Sequence, residues 1–289
     1  MAALTGRDSP TVPGSPAIVT PADPARMASL LQNFSQVNVR VTSAATKANR
    51  TKPVRIVAVS KYKPVSDIIA LHAPSVARLP NAHLHFGENY LQELIDKSRI
   101  LPPGIRWHFI GALQSNKCVS LARDVRSLWA VESVDSEKKA SLLSKGWSER
   151  PPENIGFEEF GDKKLRVYVQ VNTSGEESKS GVEPSEAVNL CRFIMEKCPD
   201  LKLMGLMTIG SIARSKATTP DNKNEDFICL RETRDRVAKE LGFSDPEELE
   251  LSMGMSEDFE VAVACGSDEV RVGTTIFGGR PPKSEAKVV

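Results

Sequence analysis

The sequence predicts an α/β protein, a (β/α)8 barrel, on three observations. Short β-branched runs alternate with helical patterns eight times along the chain. The alternation occupies about 250 residues, the length that such a barrel typically needs. The rival architecture, a doubly wound open sheet, carries a glycine fingerprint after its first strand, and this chain has Ser60-Lys-Tyr-Lys-Pro64 there instead. A Gly-x4-Gly-Lys-Ser/Thr phosphate loop is also missing from the sequence.

Val54 to Ser60 is a near-continuous apolar run, as expected of a parallel strand covered on both faces. Pro64 suits the first turn of the helix that Asp67 to Ala73 predicts. His83 to Phe86 reads as the second strand and Tyr90 to Arg99 as its helix. Arg106 to Ile110 and Asn116 to Arg123 form the third pair. Ser127 to Val131 is the fourth strand, and Asp135 is expected to cap a helix ending near Gly146. Trp147 to Lys164 reads as an insertion loop, before a fifth strand at Leu165 to Val171 and a helix at Pro184 to Lys197. Leu201 to Ile209 is the sixth strand, followed by a loop at Ser211 to Asn224 and a helix at Asp226 to Leu241. Leu249 to Ser252 is the seventh, with Ser256 expected to cap a helix reaching Ala264. Val270 to Val272 is the eighth.

The flanks differ in composition. Pro10, Pro13, Pro16, Pro21 and Pro24 recur among small polar residues, with little apolar surface to bury. Residues 1–25 are therefore expected to be a disordered head, 26–282 the barrel and 283–289 a tail. The first 26 residues hold Asp8 and Asp23 against Arg7 and Arg26, unlike an Arg-rich, acid-poor transit peptide. A cytoplasmic protein is expected, with mitochondrial import the lesser option. Thirty-eight basic residues against 37 acidic ones leave a net charge of +1, which argues against nucleic acid as partner. No apolar run is long enough to span a membrane. Five cysteines, none in a Cys-x-x-Cys pair, read as reduced thiols packed as small apolar groups.

In a barrel the reactive residues lie just past the carboxyl ends of the strands. Those positions hold Lys61, Gly87-Glu-Asn89, His108 to Gly111, Glu132-Ser133, Asn172, Met207-Thr208, Ser252-Met-Gly254 and Gly273-Thr-Thr275. Lys61 follows a buried strand, and desolvation there would favour the neutral amine that attacks an aldehyde. The plainer alternative is a surface lysine extending its head to water. The last two strand ends are where barrels commonly hold phosphate. Ser252, Gly254 and Ser256 in one loop, and Gly273, Thr274 and Thr275 in the other, offer hydroxyls and close backbone approach. Arg271 lies inside an apolar strand, so it either enters the barrel and finds a partner or meets a carboxylate at the helix layer. His83 and His85 alternate as in metal-dependent barrel hydrolases, but His108 is the only further ligand candidate, so no metal is expected. No Gly-x-Ser-x-Gly elbow points to a catalytic serine.

Seven motifs follow one another at these strand ends. They are Ala58-Val-Ser-Lys-Tyr-Lys-Pro64, His85-Phe-Gly-Glu-Asn-Tyr90, Trp107 to Lys117, Gln170 to Glu176, Gly205-Leu-Met-Thr208, Leu251-Ser-Met-Gly-Met-Ser256 and Val270-Arg-Val-Gly-Thr-Thr-Ile-Phe-Gly278. Together, from about residue 30 to about 282, they closely resemble the pyridoxal phosphate homeostasis protein family. The resemblance implies a barrel like the N-terminal domain of alanine racemase, with pyridoxal 5′-phosphate (PLP) held as a Schiff base on Lys61. It implies that Arg271 points at the pyridine nitrogen, that Ser252, Gly273 and Thr274 hold the phosphate, and that Asn89 and Met207 line the ring. It further implies a non-catalytic protein that buffers PLP, delivers it and serves amino-acid homeostasis; a monomer is expected, with PLP-dependent apo-enzymes as its recipients.

An arginine facing the ring nitrogen cannot surrender its proton, which leaves the ring a poorer electron sink. Racemases of this fold add a tyrosine from a separate C-terminal domain, and such a domain is not expected in the ten residues after Gly279. The alternative is a PLP-dependent racemase or a related enzyme. A dinucleotide-dependent oxidoreductase lacks its fingerprint. Tyr62 where the family more often has Thr, Ser267-Asp268 before the last strand, and the loops at 147–164 and 211–224 depart from the family pattern.

Overall fold

The structure, a computed structural model, describes residues 20–72, 83–154, 163–219 and 224–279. The expectations for residues 1–19, Ala73, parts of both long loops and the tail from Pro281 onward fall outside the described residues. Eight parallel strands close in sequence order: β1 (Arg55–Val59), β2 (His85–Glu88), β3 (Arg106–Phe109), β4 (Leu128–Val134), β5 (Leu165–Gln170), β6 (Leu201–Met207), β7 (Glu250–Ser252) and β8 (Glu269–Val272). β1 pairs with both β2 and β8, with Val59 opposite Gly87 and Ala58 opposite Val272, so the expected closure is met.

Ten helices surround the barrel among the described residues. They are α1 (Pro24–Lys47), α2 (Val65–His72), α3 (Leu91–Ile100), α4 (Cys118–Asp124), α5 (Glu137–Ser148), α6 (Ala187–Lys197), α7 (Ile212–Ala217), α8 (Glu225–Leu241), α9 (Phe259–Ala264) and α10 (Thr274–Phe277). The main core lies between strands and helices, where residues such as Ala58, Phe86, Leu94, Trp107 and Val167 are fully or almost fully buried. A smaller apolar cluster of Trp129, Ala130, Tyr168 and Met207 fills one side of the barrel interior.

α1 is absent from the sequence reading and begins inside the expected head. Asp23 caps it by accepting from the Arg26 N–H at 3.0 Å, and Pro24 stands in its first turn. Leu30, Phe34, Val37 and Val41 recur on one face and are buried against the barrel. Each such burial stabilises by about 1.5–3 kcal/mol. α9 and α10 span only six and four residues, and α1 packs across them and α2. Arg26 ties this helix to Asp67 at 2.6 Å and to the Phe277 carbonyl at 2.9 Å.

Three boundaries differ from expectation for local reasons. Ser136, not Asp135, caps α5, because Asp135 pairs with Lys139 at 2.6 Å. β4 runs on to Val134 past an irregularity in its pairing with β5, so Glu132 and Ser133 lie within the strand and not beyond it. α9 starts at Phe259, which frees Ser256 for a contact described below.

Candidate functional site

Lys61 leaves the end of β1 in a tight turn, in which the Lys63 N–H donates to the Ser60 carbonyl at 3.0 Å. It is half-buried and lines a cleft with Val59, Lys63, Gly273, Thr274 and Gly278. Strand register explains the meeting. β1 and β8 are neighbours, so the residues just past their ends face each other across the seam. Asn89, two residues past the Val59–Gly87 pair on β2, stands at the same level. Its Oδ1 is buried with no hydrogen-bond partner among the described residues. Gly111 admits it: a Cβ there would lie 2.1 Å from the Asn89 carbonyl oxygen.

The loops after β7 and β8 interlock. Gly254 has φ 96°, and a Cβ on it would approach Ala262 Cβ to 2.5 Å, so only glycine fits. Ser256, expected as a helix cap, reaches across instead. Its Oγ accepts from the N–H groups of Gly273 at 3.3 Å and Thr275 at 3.5 Å. Backbone donors at the β8 end are therefore held by a side-chain hydroxyl.

Below the cleft, Arg271 enters the barrel and is 5% exposed. The alternative of a carboxylate at the helix layer fails, because its guanidinium donates inward to Ser252 Oγ and to the Thr208 carbonyl, both at 2.6 Å. Ser252 is fully buried, and Glu132 Oε2 (2.7 Å) and Glu269 Oε1 (3.0 Å) also meet its hydroxyl. It thus sits beneath the two loops, on Arg271. Met207 is fully buried in the apolar cluster beside Tyr168.

The hydrogen bonds of this interior layer assign its protons. Burial, and then the Glu132 charge, push Glu269 up to about 7, so near neutrality it can donate to Ser252. Burial lowers His108 to about 4, leaving a neutral ring. Its Nδ1 meets Glu132 Oε1 at 2.7 Å and its Nε2 meets His85 Nδ1 at 2.9 Å. A neutral ring satisfies both contacts by donating from Nδ1 to the carboxylate and accepting at Nε2 from His85. Glu132, although burial raises its pKa, has Arg271 at 3.9 Å as the main opposing influence. His108, Glu132 and Glu269 place ligand-type atoms within 4.8 Å of one another. Those atoms are already engaged in this hydrogen-bond chain, and the Arg55 and Arg271 guanidiniums beside them supply the positive charge. His83 does not share the His85 face: it precedes β2, and its ring packs on Phe34 and Phe86 at 4.5 and 5.1 Å.

The structure thus brings Lys61, Gly273 and Thr274 to one cleft and sets Asn89 at the same level. Arg271, Ser252 and Met207 lie in the barrel interior. Sequence reasoning treated Glu132 as a rim residue, although it directly follows the apolar run and shares the parity of Ala130, two positions earlier, which joins the interior cluster. It weighed Ser256 only as a loop hydroxyl and cap. Its bridge to the next loop has no local signal, because the two loops meet only on barrel closure.

The family model for the alanine racemase N-terminal domain matches residues 35–281. The chain is 40% identical over 248 residues to the pyridoxal phosphate homeostasis protein of Schizosaccharomyces pombe, covering 86% of this chain and 93% of that one. It is 42% identical to the human protein of that name over 252 residues, 84% of each chain. Among solved structures, a protein of unknown function from Bifidobacterium adolescentis is 32% identical with a TM-score of 0.70, covering 91% of this chain and 99% of that one. PipY of Synechococcus elongatus, solved with PLP bound, is 26% identical with a TM-score of 0.57, covering 82% of this chain and all of that one. An alanine racemase from Corynebacterium glutamicum, 14% identical over 91% of this chain and 64% of its own, shares the fold with a TM-score of 0.52. The chain therefore belongs to the pyridoxal phosphate homeostasis protein family, built on the alanine racemase N-terminal domain.

Proposed function

We propose that this chain binds PLP through Lys61 and serves the homeostasis of that cofactor, holding and releasing it without turning over a substrate. The observation that carries the reading is the shared cleft, which Lys61 lines together with Gly273 and Thr274 at the β8 end. The residues fit the group on the structure's own terms. A buried Oδ1 on Asn89, without a partner among the described residues, can meet a donor, and the Gly273 and Thr275 N–H groups are held by one hydroxyl that an anion could displace. When bound, the cofactor supplies an aldehyde that condenses with an amine and releases water.

In this reading Lys61 is that amine, Gly273 and Thr274 hold the phosphate with Ser256 beside them, and Asn89 and Met207 flank the ring. Arg271 faces the ring nitrogen. Ser252, expected at the phosphate, instead fixes Arg271 from below together with Glu132 and the Thr208 carbonyl. A permanently protonated guanidinium offers the ring nitrogen a hydrogen bond but no proton, which favours storage over carbanion chemistry. The recipients would be PLP-dependent apo-enzymes.

A cytoplasmic location fits a further feature of the chain. The five cysteines are free thiols, with Cys118 and Cys191 pushed by burial to about 11 and about 12, as suits a reducing compartment. Among the described residues, no helix is long and apolar enough to cross a membrane.

The test of storage against turnover is to incubate the PLP-loaded protein with D- and L-amino acids and follow optical rotation. Rates no higher than with free PLP are expected, and racemisation well above that background would replace the carrier reading with the enzyme one.

A further inference from the structure

The backbone carrying Lys61 is attached from beneath to a buried ion cluster on α3. In the Ser60–Lys63 turn, Tyr62 has φ 60°, at a turn position where positive φ favours glycine or asparagine. A tyrosine stays there only if its surroundings hold it. The Tyr62 N–H donates to Glu93 Oε1 at 2.7 Å. Lys97 Nζ donates to the Ser60 carbonyl at 2.8 Å, and to Glu93 Oε1 and Glu88 Oε1, both at 2.7 Å. Ser60 Oγ completes the cluster by donating to Glu88 Oε1 at 2.7 Å.

Glu93 and Lys97 stand four residues apart on one face of α3, and the Lys97 side chain is fully buried. They hold the carbonyl of the residue before Lys61 and the N–H of the residue after it. Re-aiming Lys61 would strip a buried charge or a buried N–H of its partner. For stability alone, buried ions are a poor choice, since apolar groups of the same volume commonly do as well or better. What the ions add here is direction: they dictate one backbone geometry for the turn.

We infer that Glu93 and Lys97 are positioning residues for Lys61, clamping the Ser60–Lys63 turn so that the Lys61 amine enters the cleft beside Gly273 and Thr274. The inference rests on the reading of Lys61 as the cofactor amine.

The test compares Glu93→Leu, Glu93→Gln and Glu93→Leu/Tyr62→Gly with the wild-type chain. Glu93→Leu leaves the Lys97 ammonium facing the Glu88 carboxylate, so no buried charge is left without a partner, and melting of each chain checks folding. With PLP as the probe, the rate at which borohydride-fixable label appears on Lys61 is expected to fall about tenfold or more in Glu93→Leu, a misaimed reacting group. Glu93→Gln, which keeps the acceptor, should label near the wild-type rate. Adding Tyr62→Gly should restore labelling, because glycine adopts positive φ unaided. Wild-type labelling by Glu93→Leu, or no rescue by Tyr62→Gly, would overturn the inference. If the wild-type chain takes no label on Lys61, the reading of function fails, and amide exchange then judges the clamp. Slow exchange at the Tyr62 N–H in wild type and Glu93→Gln, but fast in Glu93→Leu, supports it. Fast exchange in wild type refutes it.

Discussion

At the amino ends of the strands, Arg55 donates to Glu250 at 2.7 Å, to Glu269 at 3.0 Å and to the Tyr168 hydroxyl at 3.2 Å. Tyr168 in turn donates to Glu250 at 2.5 Å, and the Arg55 and Arg166 guanidiniums lie 4.6 and 4.8 Å from the Trp129 ring centre. At the carboxyl ends the pattern reverses. Asn89 Oδ1 is buried without a partner among the described residues, Tyr62 sits in the left-handed region, and backbone N–H groups at the β8 end are held by a lone hydroxyl. The floor answers its own charges, whereas the mouth keeps polar groups that a ligand can answer. That division matches the usual split of a barrel into a stabilising and a functional face.

The largest effect that separates the ends is expected from Arg55→Met at the floor. It leaves Glu250 and Glu269 without their cation, at a cost of about 3–5 kcal/mol. The melting temperature should drop by about 2–4 °C per kcal/mol, while labelling of Lys61 below the melting range stays intact. Lost labelling in a folded Arg55→Met chain would show the two ends to be coupled.

Glu269→Gln is expected next in size and depends on pH. Burial raises the folded-state pKa of Glu269 to about 7 from an ordinary 4.5. Its stabilising contribution is therefore fully present below pH 4.5 and is lost as pH rises through 7. Relative to wild type, Glu269→Gln should gain on the order of 3 kcal/mol between those limits, read by urea unfolding at several pH values. A flat difference would mean that Glu269 is ionised throughout. His108, held at about 4, has the opposite sign: its contribution is present above its unfolded value near 6.5 and is lost as pH falls towards 4. In wild type the two therefore cancel across much of the shared window.

Tyr62→Gly at the mouth should matter least to stability. Relief of the positive φ stabilises by roughly 1–2 kcal/mol, offset by about 0.5–1 kcal/mol of added freedom in the unfolded chain. A melting temperature within a few degrees of wild type is expected. A large loss would show that the tyrosine ring, packed 4.9 Å from Tyr90, holds the turn.

The strands and their reactive ends were legible because a buried parallel strand is a continuous apolar run, and the residue after it is marked by contrast. Lys61 stands out after Val59-Ser60 for that reason. α1 was hidden beside a proline-rich stretch, although Asp23-Pro24 and the spacing of Leu30, Phe34, Val37 and Val41 are an ordinary helix signature. The interior layer was legible only at Arg271, a charge inside an apolar strand. Its partners come from β6 and β7, and no local pattern identifies them. Glu93 and Lys97 look like any exposed i,i+4 pair on a helix, and only the closed barrel turns that face towards the Lys61 turn.

The central claim is that the amine at the β1 end takes the cofactor. The most direct measurement is borohydride reduction of the chain after incubation with PLP, followed by peptide mass spectrometry of wild type and Lys61→Ala. The account predicts a pyridoxyl adduct on Lys61 in wild type and none in Lys61→Ala. It predicts none on Lys63 either, since that buried side chain already donates to the Gly279 carbonyl at 2.5 Å. An adduct that persists at the same yield in Lys61→Ala, or that maps to another lysine in wild type, would contradict it.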